Sequence, residues 1–293
     1  MNKKFFKRIS FYLPFLAILI SGCDNRKKSH TKKTPNQHQI QTNIQAGNFV
    51  KEKTRPTMTI WVHGTRALSK TVFPRFFRTI KGLHHASAYN SKNNLLQVAT
   101  TLNSTDPEQF PFDNIFFFGW DGRLSPTARK RAARNLRKQL FALIEKVKEK
   151  EGVEPRIRMI THSHGGNVAL HLAQLNEPGK PKLHIDELVM LACPVQKRTC
   201  DLVADNMFTN VYSMYSKIDL LQVLDPQGLY KLWSRKVKKR KPNTPLFSGR
   251  IFPKKDNVRQ VKVVLNGKSI RHIDFILEKF LSQLPKMLND LRA

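Results

Sequence analysis

The sequence predicts an α/β protein: a mostly parallel, doubly wound sheet flanked by helices. Three observations carry this. Several strand-like runs, among them "TMTIWVHGT", "NIFFFGW" and "IDELVMLACPV", are continuously apolar instead of alternating, which implies burial on both faces. Segments of helical periodicity separate many of them, as crossovers between parallel strands require. At one point a strand, "RIRMITHS", passes straight into a helix, "GGNVALHLAQL", through two glycines.

Taken in order, the first strand is "TMTIWV", ending in a His-Gly turn, and the second is "NIFFFGW". The helix that follows, "LSPTARKRAARNLRKQLFALIEKVKEKEG", has Ser125 as N-cap, Pro126 in its first turn and Gly152 at its stop. After the strand–glycine–helix unit come strands in "IDELVMLACPV", "NVYSMYS" and "VRQVKVVLNG", and a single closing helix in "DFILEKFLSQLPKMLNDL". Between the last two strands, "GLYKLWSRKVKKRKPNTPLFSGRIFPKKD" breaks the rhythm. Residues 228–257 read as a basic, aromatic-studded excursion, either a solvated loop or a lid that contacts anionic headgroups. At 40% hydrophobic and 9% aromatic, the 293 residues supply one main core, which places a single domain over 57–293.

The N-terminus lies outside that domain. "MNKKFFKR" is a basic head, "ISFYLPFLAILI" is an apolar run too short to span a bilayer comfortably, and "SGC" follows directly. Residues 1–22 resemble a bacterial lipoprotein signal, with Ile20, Ser21, Gly22 and Cys23 standing as its lipobox. The resemblance implies cleavage before Cys23 and diacylglycerol on its sulfur, which gives an exported domain anchored by lipid in the cell envelope. Asp24 resembles an inner-membrane retention signal, and the choice between inner and outer membrane stays open. Residues 23–56 are polar, basic and without apolar periodicity, the composition of a flexible tether.

The net charge of +31, from 52 Lys and Arg against 21 Asp and Glu, attracts polyanions. Once a lipid anchor is in place, an anionic membrane surface accounts for this charge more economically than nucleic acid, because each basic residue near such a surface adds about 1 kcal/mol. Charges in stretches such as "RKRAARNLRK" also suit ordinary solvated helix faces. The two cysteines after the anchor, Cys193 and Cys200, fit no strong metal pattern. They are equally compatible with a short disulfide loop and with free thiols.

The chemistry centres on "THSHG". A serine hydroxyl needs a base to take its proton and a clear approach for a substrate carbonyl, and a sharp strand-to-helix turn between small residues supplies that approach. Thr161, His162, Ser163, His164 and Gly165 follow the pattern G-x-S-x-G with threonine for the first glycine. The helix start directs N–H groups at the hydroxyl, so the backbone N–H of His164 is one oxyanion donor. The N–H of Thr65 in "HGT" is the second, with Gly64 permitting close approach. Side chains flanking a sharp turn diverge, so neither His162 nor His164 serves as the base, and both line or pack beside the turn. His63 has a supporting or purely structural place in the oxyanion loop.

These motifs resemble the lipase and esterase branch of the α/β-hydrolases. "WVHGT" is similar to the oxyanion turn of that family, "THSHGGNVAL" to its nucleophile elbow, and "FFFGWDGRLSPTARKRAARNL" to a "WSG…R..A..L" element of some lipase-like members. The likeness spans 57–293, and the family order of serine, acid and histidine then implies the partners. "NVYSMYSKIDLLQ" offers Asp219 as the acid, with Asp225 as an alternative, and "VRQVKVVLNGKSIRHIDF" offers His272 as the base. His184 sits at the entry to a strand, the wrong edge of a sheet for this task.

Ser163, Asp219 and His272 would thus cleave carboxylic esters through an acyl-enzyme, with lipids or lysophospholipids as the substrates that suit the anchor. No metal or organic cofactor is implied. The same residues could pass the acyl group to an alcohol or amine acceptor, as an acyltransferase does. A third reading is an inactive scaffold whose basic excursion binds polyanions.

Overall fold

The computed structural model describes residues 54–65, 79–176, 179, 181–223 and 249–293. All of these belong to the second of the two compact units into which the chain divides, Glu52–Ala293. The signal-like segment, Cys23, most of the tether, Asp225 and most of the basic excursion lie outside the described residues.

Among the described residues, seven strands form one sheet: β1 (Thr57–Val62), β2 (Gly82–His85), β3 (Ile115–Gly119), β4 (Arg156–His162), β5 (Ile185–Leu191), β6 (Phe208–Tyr215) and β7 (Val258–Lys262). Their spatial order is β2-β3-β1-β4-β5-β6-β7. Every pairing is parallel except that of β2, which lies antiparallel on β3 at the edge. This is the expected doubly wound sheet, and its layout is that of the α/β-hydrolase fold.

Alternate residues of each inner strand feed two cores. Met58, Ile60 and Val62 of β1 pack with Leu136 and Leu140 of α1 (Pro126–Glu151) and with Val168 and Leu172 of α2 (Gly165–Ala173). On the opposite face Trp61, Ile160 and Val189 meet Leu95, Val98 and Leu102 of a helix at Asn94–Thr105, together with Phe275, Leu284 and Leu288 near the C-terminus. Both faces are therefore covered, which is why the strands read as continuous apolar runs.

The long helix α1 starts where its sequence says it should. Ser125 accepts a bond from the Ala128 N–H, Pro126 occupies the first turn, and Gly152 caps the C-terminus. Two elements absent from the sequence reading are β2 and the Asn94–Thr105 helix. That helix has Asn93 as N-cap and buries Leu95, Val98, Ala99 and Leu102, an i, i+3, i+4, i+7 stripe.

The closing segment differs from the single helix expected. It divides into a 3₁₀ turn (His272–Ile276), a short α3 (Glu278–Leu281) and α4 (Leu284–Arg292). Pro285 enters the first turn of α4 and has no N–H to continue a helix from α3. The last strand is also shorter than its sequence run. After Lys262 the chain folds into a two-strand hairpin, β8 (Val264–Leu265) against β9 (Lys268–Ser269), turned by Asn266 and Gly267 at φ 51° and 73°. The returning end of the excursion is held to the domain: Gly249 pairs with Val195, and Phe252 is buried.

A buried charge cluster fastens α4 to the sheet. Glu187 on β5 accepts bonds at 2.6 Å from Arg158 of β4 and at 2.6 and 2.9 Å from Arg292 of α4. Burial pushes the Glu187 carboxyl up, but the bonds from Arg292 and the charge of Arg158 outweigh it and hold the group below its ordinary value. Removing the anion would leave Arg158, whose side chain is 8% exposed, without its counter-charge. Glu187→Gln should therefore lower unfolding free energy by about 3 kcal/mol, the low end for a broken buried pair because Arg292 is partly exposed, as read by urea denaturation.

Candidate active site

The parallel strands deliver their C-terminal ends to one rim, and Thr65, Ser163 and Asp219 stand on the loops that leave β1, β4 and β6 there. The chain leaves β1 toward β3 on one side and returns to β4 on the other, so the loops after β1 and β4 border the crevice where strand order reverses. Gly64 and Thr65 follow β1; Ser163 follows β4.

Ser163 is the turn itself. Its φ of 53° lies in the left-handed region, a conformation that costs a non-glycine residue about 1–3 kcal/mol and allows a strand to enter a helix within two residues. Neighbouring backbone holds it there: the Ser163 N–H donates to the Leu191 carbonyl at 2.8 Å, and the Ser163 carbonyl accepts from Gly166 at 3.1 Å. The turn closes only because of two glycines. A Cβ on Gly165 would lie 2.8 Å from the His63 carbonyl oxygen and nearer still to that of Val62. A Cβ on Gly64 would lie 2.7 Å from Ser163 Cβ and 3.4 Å from its Oγ. The loop after β1 thus passes directly over the serine, with half-buried Thr65 next in the chain.

His63 holds that loop in place. Its Nε2 accepts from the Trp120 backbone N–H at 3.1 Å, which leaves the proton on Nδ1, donated to the Gly64 carbonyl at 2.6 Å. The indole N–H of Trp120 donates to the His63 carbonyl at 2.8 Å, and the two rings stack 5.7 Å apart. Trp120 follows β3, so neighbouring strand ends brace the turn. In the sequence this tryptophan stands in the lipase-like element "FFFGWDGRLSPTARKRAARNL", where no local pattern marks it as a brace for the β1 loop.

Asp219 and His272 meet, although 53 residues separate them. His272 Nδ1 donates to Asp219 Oδ2 at 2.8 Å, which leaves Nε2 as the free acceptor of the imidazole. The carboxylate is fully buried, and its Oδ1 accepts from the Gln222 N–H. The loop is tied further by Arg250 Nε to the Asp219 carbonyl and by the Gln222 amide to the Cys193 carbonyl. His184 stands at the opposite end of the sheet, bonded to Thr209. Cys193 and Cys200 are both free thiols.

The histidines beside the serine are both buried. His162 packs its ring 4.7 Å from that of His272, and His164 lies near Arg129, a core guanidinium that donates to Gln196. Burial, reinforced by the charge of His272, drives His162 well below its ordinary pKa; burial and the charge of Arg129 do the same to His164. His171 in α2 is lowered to about 4, again chiefly by burial. Among the described residues, no group of three or more His, Cys, Asp or Glu side chains is placed to hold a metal ion, and no helix is long and apolar enough to cross a membrane.

No protein-family model matches the sequence, and no curated protein matches it. Solved structures similar to it include esterase PE8, at TM-score 0.41 and 12% identity over 80% of this chain and 93% of that one. A lipase-esterase related protein from Clostridium acetobutylicum gives 0.39 and 12% over 80% and 96%, and acyl-protein thioesterase 2 from Zea mays gives 0.37 and 11% over 82% and 95%.

A histidine held neutral by burial binds a proton when the chain unfolds but not while it is folded. His162, His164 and His171 therefore contribute stability that is complete above about pH 6.5 and is lost as pH falls below it. The melting temperature should drop between pH 7 and pH 5, and His171→Gln should flatten that dependence by one proton's worth of slope, as measured by thermal denaturation across the range.

Proposed function

We propose that the protein is a serine hydrolase of carboxylic esters, held at a membrane by lipid on Cys23. The observation that carries the reading is the 2.8 Å bond between His272 Nδ1 and the buried Asp219 carboxylate, at the same rim as the left-handed Ser163 turn. In this scheme Ser163 Oγ attacks the ester carbonyl while His272 Nε2 takes its proton. Asp219 keeps the Nδ1–H tautomer in place and stabilises the imidazolium that forms. The imidazolium returns the proton to the leaving alcohol, leaving an acyl-enzyme. Water, deprotonated by the same nitrogen, releases the acid. The N–H groups of His164 and Thr65 receive the oxyanion, each worth about 2.7–4 kcal/mol of barrier. The lipid-anchor signature and the net charge of +31 favour lipid or lysophospholipid esters presented at an anionic surface.

A fluorophosphonate probe should label the wild type and leave Ser163→Ala unlabelled; equal labelling of the two would reject the nucleophile. His272→Ala should lower kcat by at least about 10³-fold with its melting temperature little changed. Hydrolysis of an ester series should favour long acyl chains and rise with anionic vesicles, whereas indifference to both would point to a small soluble ester. Cys23→Ser should move the protein from the membrane to the soluble fraction and abolish incorporation of labelled palmitate.

A further inference from the structure

The reaction scheme gives no task to the residue immediately before the serine, yet that residue touches the base twice. His162 is the last residue of β4 and is 2% exposed. Its Nε2 lies 3.1 Å from the main-chain carbonyl oxygen of His272. A carbonyl only accepts, so Nε2 carries the proton and Nδ1 does not. The ring also packs against the His272 imidazole, with centroids 4.7 Å apart and planes inclined by 52°.

These contacts answer a mechanical problem. His272 opens a 3₁₀ turn that follows the small β8–β9 hairpin, outside the main sheet. Asp219 fixes the direction of its ring through Nδ1 but comes from the loop after β6. Neither restraint refers the base to β4, the strand that carries Ser163, whereas the His162 bond does so across a single peptide link. We propose that His162 is a positioning residue. By donating Nε2–H to the His272 carbonyl and supporting its ring, it sets the distance and angle between the base and the Ser163 hydroxyl. The inference rests on His272 being the base.

Neutrality suits this role. The groups facing the ring are His272 and His63, and burial keeps His162 uncharged beside them. It therefore keeps the donor tautomer without opposing the imidazolium that forms on His272 during turnover.

The test compares two amides in the full-length protein. Glutamine at 162 can place an N–H near the position of Nε2, whereas asparagine is too short and places its N–H near the position of Nδ1. With a soluble p-nitrophenyl ester, His162→Asn should lose about 10–100-fold in kcat with KM within about twofold, the size of effect expected from misplacing a reacting group by an ångström or less. His162→Gln should recover to within about fivefold of the wild type, and the rate of fluorophosphonate labelling should follow the same order. Equal kcat in the two variants, a loss confined to KM, or a loss that tracks melting temperature in both would overturn the positioning role. His272→Ala, assayed in parallel, separates the two claims. Wild-type turnover in that variant would remove the base assignment, and the positioning role with it, whereas its inactivity beside a fully active His162→Asn would remove the positioning role alone.

Discussion

The rim depends on one constraint: a serine must turn a buried strand into a buried helix within two residues. The left-handed backbone of Ser163 is strained, and only surroundings that over-determine it keep it there. The β1 loop crosses at Gly64, Gly165 lies on the carbonyls of Val62 and His63, and the Leu191 carbonyl receives the serine N–H. Strands β1, β4 and β5 must therefore stay in register for the turn to exist. The two apolar cores on either side of the sheet, and the Glu187 cluster that fastens α4 across it, support that register.

Histidines at the rim have separate physical assignments. His63 is fixed by Trp120 as an Nδ1–H tautomer and orders the loop above the serine. His162 and His164 are buried and held neutral, one against His272 and the other beside Arg129. His272 is the member bonded to a buried carboxylate. One residue type thus serves as strut, support and candidate base, and the distinction comes from burial and from the partner of each ring nitrogen. Sequence proximity to Ser163 does not predict it.

Much of the frame was legible because it rests on local rules. Continuous apolar runs gave the strands, Ser125 and Pro126 gave the start of α1, and the small-residue turn gave the elbow. The Asn94–Thr105 helix and the Asn266–Gly267 hairpin are also written in the sequence, as an N-capped stripe and an Asn-Gly turn. The break in the closing segment is signalled by Pro285, which interrupts the helix despite the strong helical spacing around it.

By itself the sequence determined the order of elements, the buried character of the sheet and the shape of the Ser163 turn, because those follow from side-chain periodicity and backbone sterics over a few residues. Which rings and carboxylates meet was decided by the tertiary structure, and for Asp219 and His272 only the family resemblance, not the residues' own pattern, implied the pairing beforehand. The bonds of Asp219 to His272, Trp120 to His63 and His162 to the His272 carbonyl join residues 53, 57 and 110 positions apart. Contacts at such separations are set by how strands are ordered in the sheet and where their ends converge, and no local pattern encodes that.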